Sequence, residues 1–470
     1  MKLEIEKLIY EGWGIGHPST SLSSSLSDEV ADLRVDDRAG EAIFVKKSVP
    51  GDVLEVKITK EKKTYAEAVI QKIIKPSPNR IEAPCPYFNL CGGCEHQNIS
   101  YPDQLKYKED IFRETLDRAG VQTEILPIIQ ASEPFYYRNS IRFFLIEKAD
   151  GQKVFTRHNY LYTAGLACPE LVEWVEAESC LLQSEYANKI LATIAQTLNS
   201  SAEKLGSLYQ VKIREGKATG DFMVELITDT DNLPFENELK KSLKELAAIK
   251  SLYHTITYDR SLRNTKRRLL AGSPIIYEKI GQYTFQISPD SFFQTNSLGV
   301  KTLYEKIKEF ANIQIGDRVL DLFCGTGTIG IYLSTLAKEV TGVELVQSAI
   351  NDANANAKIN KIHNCEFVCA DVNRWLDKNK KQKFDKIIID PPRAGLTKDL
   401  IQILLTLLAP RSLSEVGNFQ LLTYISCNPA TFARDIRELE KQGLKLKKVQ
   451  PLDMFPQTHH LECVGIIARY

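Results

Sequence analysis

The chain has 470 residues, 43% apolar and 26% charged, a composition that excludes wholesale disorder and suffices for about three domains. Lysine and arginine together number 60, as do aspartate and glutamate, so the net charge is zero. This does not exclude a nucleic-acid partner, because binding depends on where the positive charge lies and not on the total. The first residues lack the apolar run of a signal peptide, and no stretch approaches ~18 consecutive apolar residues, so we expect a cytoplasmic protein without a membrane span.

Residues 1–77 predict a small β-barrel of the OB type, because short runs of alternating apolar residues are separated by turns such as Pro50-Gly51. Between residues 43 and 80, nine basic side chains outnumber four acidic ones. This excess suits a surface that contacts nucleic-acid phosphates; a solvated lysine-rich face is the alternative. A serine-rich segment near 17–39 interrupts the pattern and is interpreted as an inserted loop.

Residues 78–290 predict a central α+β domain, which opens with a cysteine-rich segment and a helix over 101–120. From 291 to 470 the chain alternates strand, glycine-rich turn and helix, which is typical of an α/β domain with a mostly parallel sheet. Two further inserted segments are predicted near 161–178 and 409–419. The fold class is therefore multidomain α/β.

Three cysteines, Cys85, Cys91 and Cys94, follow a C-x5-C-x2-C spacing, and Cys180 is available as a fourth ligand. Zinc sites usually combine two close pairs, whereas three clustered thiolates and one distant thiolate favour a four-iron cluster. Spacing alone leaves zinc open. Cys168 competes with Cys180 for the fourth position, although it lies in a segment that looks inserted.

A strand that runs into Gly325–Gly330 forms a G-x-G-x-x-G turn before a helix, which indicates a cofactor site but fits NAD as well. Acidic residues at successive strands favour S-adenosylmethionine over NAD as the cofactor. Asp321 lies inside the strand, and Glu344, Asp371 and Asp390 end or follow later strands. Such a series is typical of methyltransferases that hold S-adenosylmethionine. For Asp371 a helix-capping role remains open.

Two residues near the end of the chain suit one particular reaction. Cys427 ends a short apolar strand, and Glu462 begins the last one. Carbon 5 of uracil becomes nucleophilic enough to accept a methyl group once a thiolate adds at carbon 6, and a base must then remove the carbon 5 proton. We interpret Cys427 as the nucleophile and Glu462 as the base. His459 and His460 are expected to be structural or substrate-adjacent polar groups.

Six motifs carry a resemblance to a known family: CPYFNLCGGCEHQ, SFFQTN, DLFCGTGTIGIYL, DPPRAGL, SCNP and HHLEC, in this order. Together they resemble the RNA uracil-C5 methyltransferases, in particular the branch that modifies 23S ribosomal RNA and carries an N-terminal TRAM domain and an iron–sulfur cluster. The resemblance covers nearly the whole chain apart from the three insertions. The same reaction on tRNA is the nearer alternative, and a non-catalytic RNA-binding protein is the alternative from another class.

The resemblance implies roles for individual residues. It implies that a [4Fe-4S] cluster is held by Cys85, Cys91, Cys94 and Cys180, and that S-adenosylmethionine is bound by Gln294, Phe323, Glu344, Asp371 and Asp390. It implies that Cys427 and Glu462 are catalytic, that the TRAM domain contacts RNA, and that the 101–120 helix packs on the catalytic domain. Arg138 and Arg142 are candidate RNA contacts, with an ordinary salt-bridged sheet as the alternative. We expect a monomer.

Overall fold

The computed structural model describes residues 1–18, 41–158, 174–258, 265–407 and 421–469. Most of the three predicted insertions, and Cys168, lie outside these residues. The described chain forms two compact units. The first consists mainly of Met1–Glu114 with Phe455–His460, and the second mainly of Thr115–Arg157, Trp174–Met454 and Leu461–Tyr470. In the described ranges, none of the helices has the length and apolar character needed to cross a membrane.

The first unit contains a six-stranded sheet in the order β1-β5-β6-β4-β3-β2. Neighbouring strands are antiparallel except β4 and β6, which are parallel. Alternate residues point inward and bury a core that includes Leu3, Val45, Leu54 and Ala66. The β-rich N-terminal region is thus confirmed, with strands β1 (Lys2–Glu4), β2 (Lys7–Ile9), β3 (Trp13–Gly16), β4 (Ala42–Lys46), β5 (Val53–Glu61) and β6 (Tyr65–Lys75).

The predicted helix after the cysteine segment forms α1 (Tyr101–Arg118). Tyr107 and Ile111 of this helix pack against a small buried cluster of Leu8, Val49 and Ile99. Gln104 Nε2 donates a 2.9 Å hydrogen bond to Gln457 Oε1, which joins two segments that are far apart in sequence. The expected packing of this helix on the catalytic domain stays a prediction.

The second unit begins with the short strand β7 (Glu124–Ile125) and a seven-stranded sheet in the order β10-β9-β8-β11-β12-β13-β14. Helix α2 packs against α3, and its inward face is apolar throughout. A two-stranded sheet of β15 and β16 follows. The elements are β8 (Ser140–Glu147), β9 (Lys153–His158), β10 (Trp174–Glu176), α2 (Glu185–Asn199), β11 (Leu208–Gly216), β12 (Asp221–Thr228), α3 (Glu236–Lys244), β13 (Ile249–Ile256), β14 (Lys266–Gly272), β15 (Ile276–Ile280) and β16 (Tyr283–Ile287).

The rest of this unit is an eight-stranded sheet in the order β19-β18-β17-β20-β21-β23-β22-β7. Strands β17 to β21 are parallel, and β23 lies antiparallel to β21 and β22. The elements are α4 (Ser297–Ala311), β17 (Arg318–Leu322), α5 (Thr328–Leu333), β18 (Glu339–Glu344), α6 (Gln347–Ile359), β19 (Cys365–Cys369), α7 (Val372–Asn379), β20 (Lys386–Ile389), α8 (Lys398–Leu407), β21 (Leu421–Ser426), α9 (Pro429–Glu440), β22 (Leu444–Leu452) and β23 (Glu462–Arg469).

The sequence of the central strands explains the parallel arrangement. All four residues of β20 are buried, and only the first residue of β17 is not. Parallel strands covered on both faces need such continuous apolar runs. The mixed α/β class with a mostly parallel C-terminal sheet is therefore confirmed.

Candidate active site

Parallel strands of the eight-stranded sheet end together at one edge. Leu322 at the end of β17 pairs with Val343 of β18 and with Ile389 of β20, and Ile389 pairs with Tyr424 of β21. The order of the strands reverses between β17 and β20, and ligands of open α/β sheets bind at such a reversal. Residues that follow these strands therefore lie where a cofactor binds.

The glycine-rich turn after β17 has an unusual backbone. Phe323, Gly325 and Gly327 all have positive φ, at 61°, 54° and 73°, a conformation that residues other than glycine rarely adopt. A β-carbon added to Gly327 would lie 2.6 Å from the Phe367 ring, so only glycine fits there. Helix α5 begins at once, at Thr328, and its first backbone N–H groups have no acceptor within the helix.

Glu344 ends β18, and backbone donors fix its carboxylate. Oε1 accepts hydrogen bonds from the N–H groups of Leu345 at 2.8 Å and Val346 at 3.0 Å, and Oε2 accepts one from Gly325 at 3.3 Å. Leu345 and Val346 are 64% and 50% exposed, which leaves an apolar surface beside the carboxylate. A carboxylate next to an apolar surface suits a nucleoside, whose hydroxyl groups and flat base need these two environments.

Two other predicted cofactor contacts have visible structural roles. Asp371 caps helix α7, since its Oδ1 accepts a 3.0 Å hydrogen bond from the Arg374 N–H, which is the capping role that the sequence left open. Gln294 is half-buried ahead of α4, and its carbonyl accepts a 2.7 Å hydrogen bond from Asn139 Nδ2. Sequence reasoning passed over Asn139, which stands beside Arg138 and gave no local sign of this contact.

The carboxyl groups of the buried Asp321 and the half-buried Asp390 lie at the same edge. Burial raises the pKa of Asp321 to about 8, and the charge of Asp390 adds to this shift. Asp321 Oδ2 accepts a 3.0 Å hydrogen bond from the Gly330 N–H, whereas no donor among the described residues reaches its Oδ1. Burial also raises the pKa of Asp390 to about 7. A cationic ligand would favour the charged forms of these acids.

These features fit S-adenosylmethionine. Its sulfonium and ammonium charges match the carboxyl groups of Asp321 and Asp390, including the unpaired oxygen of Asp321. Its ribose hydroxyls match the fixed carboxylate of Glu344, and its adenine matches the exposed apolar residues beside it. The glycine turn lets the backbone approach such a ligand closely.

Cys427 and Glu462 lie next to each other at this edge. Strands β21 and β23 are antiparallel and pair Ser426 with Cys463. Cys427, one residue after Ser426, therefore lies opposite Glu462, one residue before Cys463. The pKa of the half-buried Cys427 thiol is raised to about 11, first by burial and then by the Glu462 carboxyl, whereas the charge and hydrogen bond of Arg393 lower it. Burial also raises the pKa of Glu462 well above its ordinary value; Asp390 adds to this shift and Arg393 opposes it.

The segment after Cys427 turns directly into helix α9. Asn428 caps this helix, since its Oδ1 accepts hydrogen bonds from the N–H groups of Ala430 at 3.0 Å and Thr431 at 3.4 Å. Pro429 occupies the first helical position, where a missing N–H costs nothing. The sequence Ser-Cys-Asn-Pro thus ends a strand and starts a helix, and the positive end of that helix favours a thiolate at Cys427.

The cysteine segment of the first unit has donors directed at sulfur. Gly93 N–H lies 3.4 Å from Cys91 Sγ, and Gln97 Nε2 lies 3.2 Å from Cys94 Sγ. In the second unit, an Arg157 guanidinium nitrogen lies 3.4 Å from Cys180 Sγ. Thiols with N–H donors suit a soft metal or cluster. The described residues nevertheless form no group of three Cys, His, Asp or Glu side chains arranged to hold a metal ion, so Cys85, Cys91, Cys94 and Cys180 remain predicted ligands.

The two histidines belong to the first unit. His459 Nδ1 lies 3.4 Å from Glu95 Oε2, which also accepts a 3.2 Å hydrogen bond from the His459 N–H. The His459 ring packs edge-on against Tyr10 and adjoins the ring of His460. These contacts give His459 a structural role.

The two arginines of the central sheet have different surroundings. The Arg138 N–H donates a 2.7 Å hydrogen bond to the Leu182 carbonyl, which ties it to the segment before α2. Arg142 is exposed on β8 opposite Lys212 of β11. Lys212 is buried and paired with Glu225 at 2.5 Å. Arg142 therefore presents positive charge at the surface, and its contact with RNA stays a prediction.

The fold and the site define a Rossmann-like methyltransferase. The model of the tRNA (uracil-5-)-methyltransferase family matches residues 101–469, and the chain belongs to this family of RNA uracil-5 methyltransferases. It is therefore an enzyme, an RNA methyltransferase that uses S-adenosylmethionine.

Relatives and solved structures agree with this assignment. An uncharacterized RNA methyltransferase of Halalkalibacterium halodurans is 35% identical over 444 residues, which cover 91% of this chain and 92% of the relative. Another from Caldanaerobacter subterraneus is 31% identical over 485 residues, covering 99% and 98%. The structure of the Pyrococcus abyssi tRNA (uracil-54, C5)-methyltransferase with S-adenosyl-L-homocysteine aligns with a TM-score of 0.72 at 26% identity, covering 99% of each chain.

Proposed function

We propose that the enzyme methylates carbon 5 of a uridine in 23S ribosomal RNA, with Cys427 as nucleophile and Glu462 as base. The observation that carries the proposal is the pairing of β21 with β23, which brings this thiol and this carboxyl together at the same edge of the sheet as the glycine turn. A nucleophile and a proton acceptor at one carbon–carbon double bond are what the reaction requires.

The steps follow from these two groups. The Cys427 thiolate adds to carbon 6 of uracil, and the electron pair moves to carbon 5 and the carbonyl at carbon 4. When bound, S-adenosylmethionine supplies an electrophilic methyl group, which carbon 5 takes as S-adenosylhomocysteine leaves. The Glu462 carboxylate then removes the carbon 5 proton, the double bond re-forms, and the bond between Cys427 Sγ and carbon 6 breaks. Thiolate and product are released, and Glu462 returns its proton to solvent.

For the cofactor, we propose that Glu344 binds the ribose hydroxyls and that Phe323 with the glycine turn contacts the methionine end. The fixed orientation of the Glu344 carboxylate supports this. Gln294, Asp371 and Asp390 are proposed as further contacts. Asp371 would use the oxygen that its capping hydrogen bond leaves available.

For RNA binding, we propose that the N-terminal sheet is a TRAM domain that contacts the RNA backbone. The excess of lysines between residues 43 and 80 supports this, as do the exposed side chains of Lys57, Lys62 and Lys72. Lysine–phosphate contacts release counterions, so affinity should fall steeply with salt. A titration of RNA at several salt concentrations tests this.

We further propose that Cys85, Cys91, Cys94 and Cys180 hold a [4Fe-4S] cluster that helps to position RNA, and that the enzyme is a cytoplasmic monomer. The spacing of the cysteines and the N–H donors near three of the sulfurs support the cluster. Iron and sulfide are measured after anaerobic purification. About four irons per chain are expected, and stoichiometric zinc would contradict the proposal.

Transfer of labelled methyl groups to unmodified total RNA, separated by size, tests the substrate. Label in 23S RNA that is lost in Cys427→Ala supports the proposal. The second candidate substrate is tRNA, favoured by the similarity to the Pyrococcus abyssi enzyme over 99% of both chains. Label in tRNA alone would keep the reaction and replace the substrate.

A further inference from the structure

Asp435 in helix α9 is a buried carboxylate with an unusually complete set of donors. Oδ2 accepts hydrogen bonds of 2.7 Å from the Leu396 N–H and from the Tyr424 hydroxyl. Oδ1 accepts bonds of 2.8 Å and 2.7 Å from Nε and a terminal nitrogen of Arg434. The side chain of Asp435 is 1% exposed, both of its oxygens already accept protein donors, and the mechanism above does not use it.

These bonds hold one short loop, Asp390–Leu396, which follows β20. Arg434 donates to the carbonyls of Ala394 at 2.8 Å and Leu396 at 3.3 Å. Gly395, with a φ of +74°, lies so close that a β-carbon there would be 2.4 Å from Asp435 Oδ2. The end of the loop is thus packed directly on this carboxylate.

The middle of the same loop is held from beside Cys427. Asn428 Nδ2 and Thr431 Oγ1 each donate a 3.2 Å hydrogen bond to the carbonyl of Arg393. The Arg393 backbone is therefore fixed on both sides, by the cap of α9 and by the Asp435 contacts two and three residues later. The Arg393 carbonyl lies beside the residue that follows Cys427, and the charge and hydrogen bond of the Arg393 guanidinium lower the pKa of the Cys427 thiol.

We propose that Asp435 is a positioning residue for methyl transfer: it fixes the Asp390–Leu396 loop so that the Arg393 guanidinium stays against the Cys427 sulfur and stabilises its thiolate. Arg393 is then a catalytic residue, because it touches the reacting atom. The inference rests on the proposed role of Cys427. Its test reads the thiol itself and needs no turnover.

Burial is the largest influence on the Cys427 thiol and disfavours its ionisation. The carboxyls of Glu462 and Asp390 disfavour its ionisation, and so does the nearby Cys463 thiol when charged, whereas Arg393 favours it. An opposite charge within ~4–6 Å of an ionisable group shifts its pKa by ~1–3 units. At pH values below the pKa of the Cys427 thiol, loss of the Arg393 contact should therefore reduce the thiolate fraction by about tenfold or more, and the alkylation rate should fall by the same factor.

The experiment measures alkylation of Cys427 by iodoacetamide between pH 7 and 10, followed on the Cys427 peptide by mass spectrometry. Arg393→Ala should slow alkylation at pH 8 about tenfold and move the profile to higher pH. Asp435→Asn and Tyr424→Phe should shift it in the same direction by less. Neither should add to the effect of Arg393→Ala in the double variants, because they act through Arg393.

Tyr253→Phe is the matched control. Tyr253 is buried and its hydroxyl donates to the Pro274 carbonyl at 3.0 Å, so its removal tests the general effect of losing a tyrosine hydrogen bond. Unchanged Cys427 profiles in Tyr424→Phe and Asp435→Asn, with lowered thermal stability, would make Asp435 purely structural and overturn the inference. If Asp435→Asn does not fold, Tyr424→Phe decides alone. Methyl transfer by Cys427→Ala would instead overturn the proposed function, and the alkylation profiles would stand.

Discussion

Binding of S-adenosylmethionine should tighten as the pH rises from 6 to 8. The reason is the fully buried Asp321, whose pKa is raised to about 8 and whose Oδ1 has no donor among the described residues. At pH 6 this carboxyl is protonated in the free protein and offers no charge to a cation. A bound cation favours the ionised form, so binding should release a proton over this range.

The magnitude follows from the titration. The ionised fraction of an acid with a pKa of about 8 rises from about 1% at pH 6 to about 50% at pH 8. If the cation binds the ionised form of Asp321, Kd falls by up to about fiftyfold, close to tenfold per unit at the acidic end. Asp390, whose pKa is raised to about 7, should add to the pH dependence of Kd in the lower part of this pH range.

Isothermal titration calorimetry of the free enzyme measures this directly. Titrations in two buffers of different ionisation enthalpy count the released protons. Asp321→Asn keeps an acceptor for the Gly330 N–H, and its Kd should lose most of the pH dependence. S-adenosylhomocysteine has no sulfonium charge and should show a weaker dependence. A wild-type Kd that is constant from pH 6 to 8, or equal pH slopes for both ligands, would refute the electrostatic reasoning.

Three further expectations concern single residues. Cys427→Ala should abolish methyl transfer and leave the Kd for S-adenosylmethionine unchanged, whereas Cys365→Ala should keep its turnover; substantial product from the first variant would remove Cys427 as nucleophile. Glu462→Gln should form the RNA adduct without resolving it, so a protein–RNA band should persist on a denaturing gel, and normal turnover with no band would exclude this base. Gly327→Ala should destabilise the fold by about 2–4 kcal/mol, from positive φ and from contact with Phe367. Gly443 also has a positive φ, but an added β-carbon there would contact no other atom. Gly443→Ala should therefore lower the free energy of unfolding, measured by urea titration, by about half as much.

The strand-end residues could be predicted from sequence because each depends on local pattern. An apolar run of four to six residues followed by Glu344, Asp390 or Cys427 reports a buried parallel strand and its end. Parallel strands share their carboxyl edge, so the cofactor region follows from the strands alone. The resemblance implied only that Cys427 and Glu462 are catalytic; that they lie side by side follows from the register of β21 with β23, which the sequence did not reveal.

Other features could not be predicted, because they depend on contacts between distant segments. Nothing local marks Asp435 as the acceptor for Leu396 and Tyr424, 39 and 11 residues away. Asn139 meets the backbone of Gln294 across 155 residues. Asp371 looks the same in sequence whether it caps a helix or binds adenine. Only the position of the Arg374 N–H reveals the cap.

The raised pKa values at the site share one physical cause, which is burial. Burial therefore also affects how reactive the thiol is in the free enzyme. Burial favours the neutral forms of Asp321, Glu462 and Cys427. With a pKa of about 11, the thiol is ionised to about one part in 10⁴ at pH 7, so the free enzyme is poorly reactive toward solvent electrophiles. A cationic cofactor lowers the cost of ionising the acids, and an ionised Glu462 is the form that can accept a proton. On the proposed mechanism, the neutral Cys427 thiol of the free enzyme is protected from solvent electrophiles, and a bound cation helps to form the Glu462 carboxylate that accepts the proton.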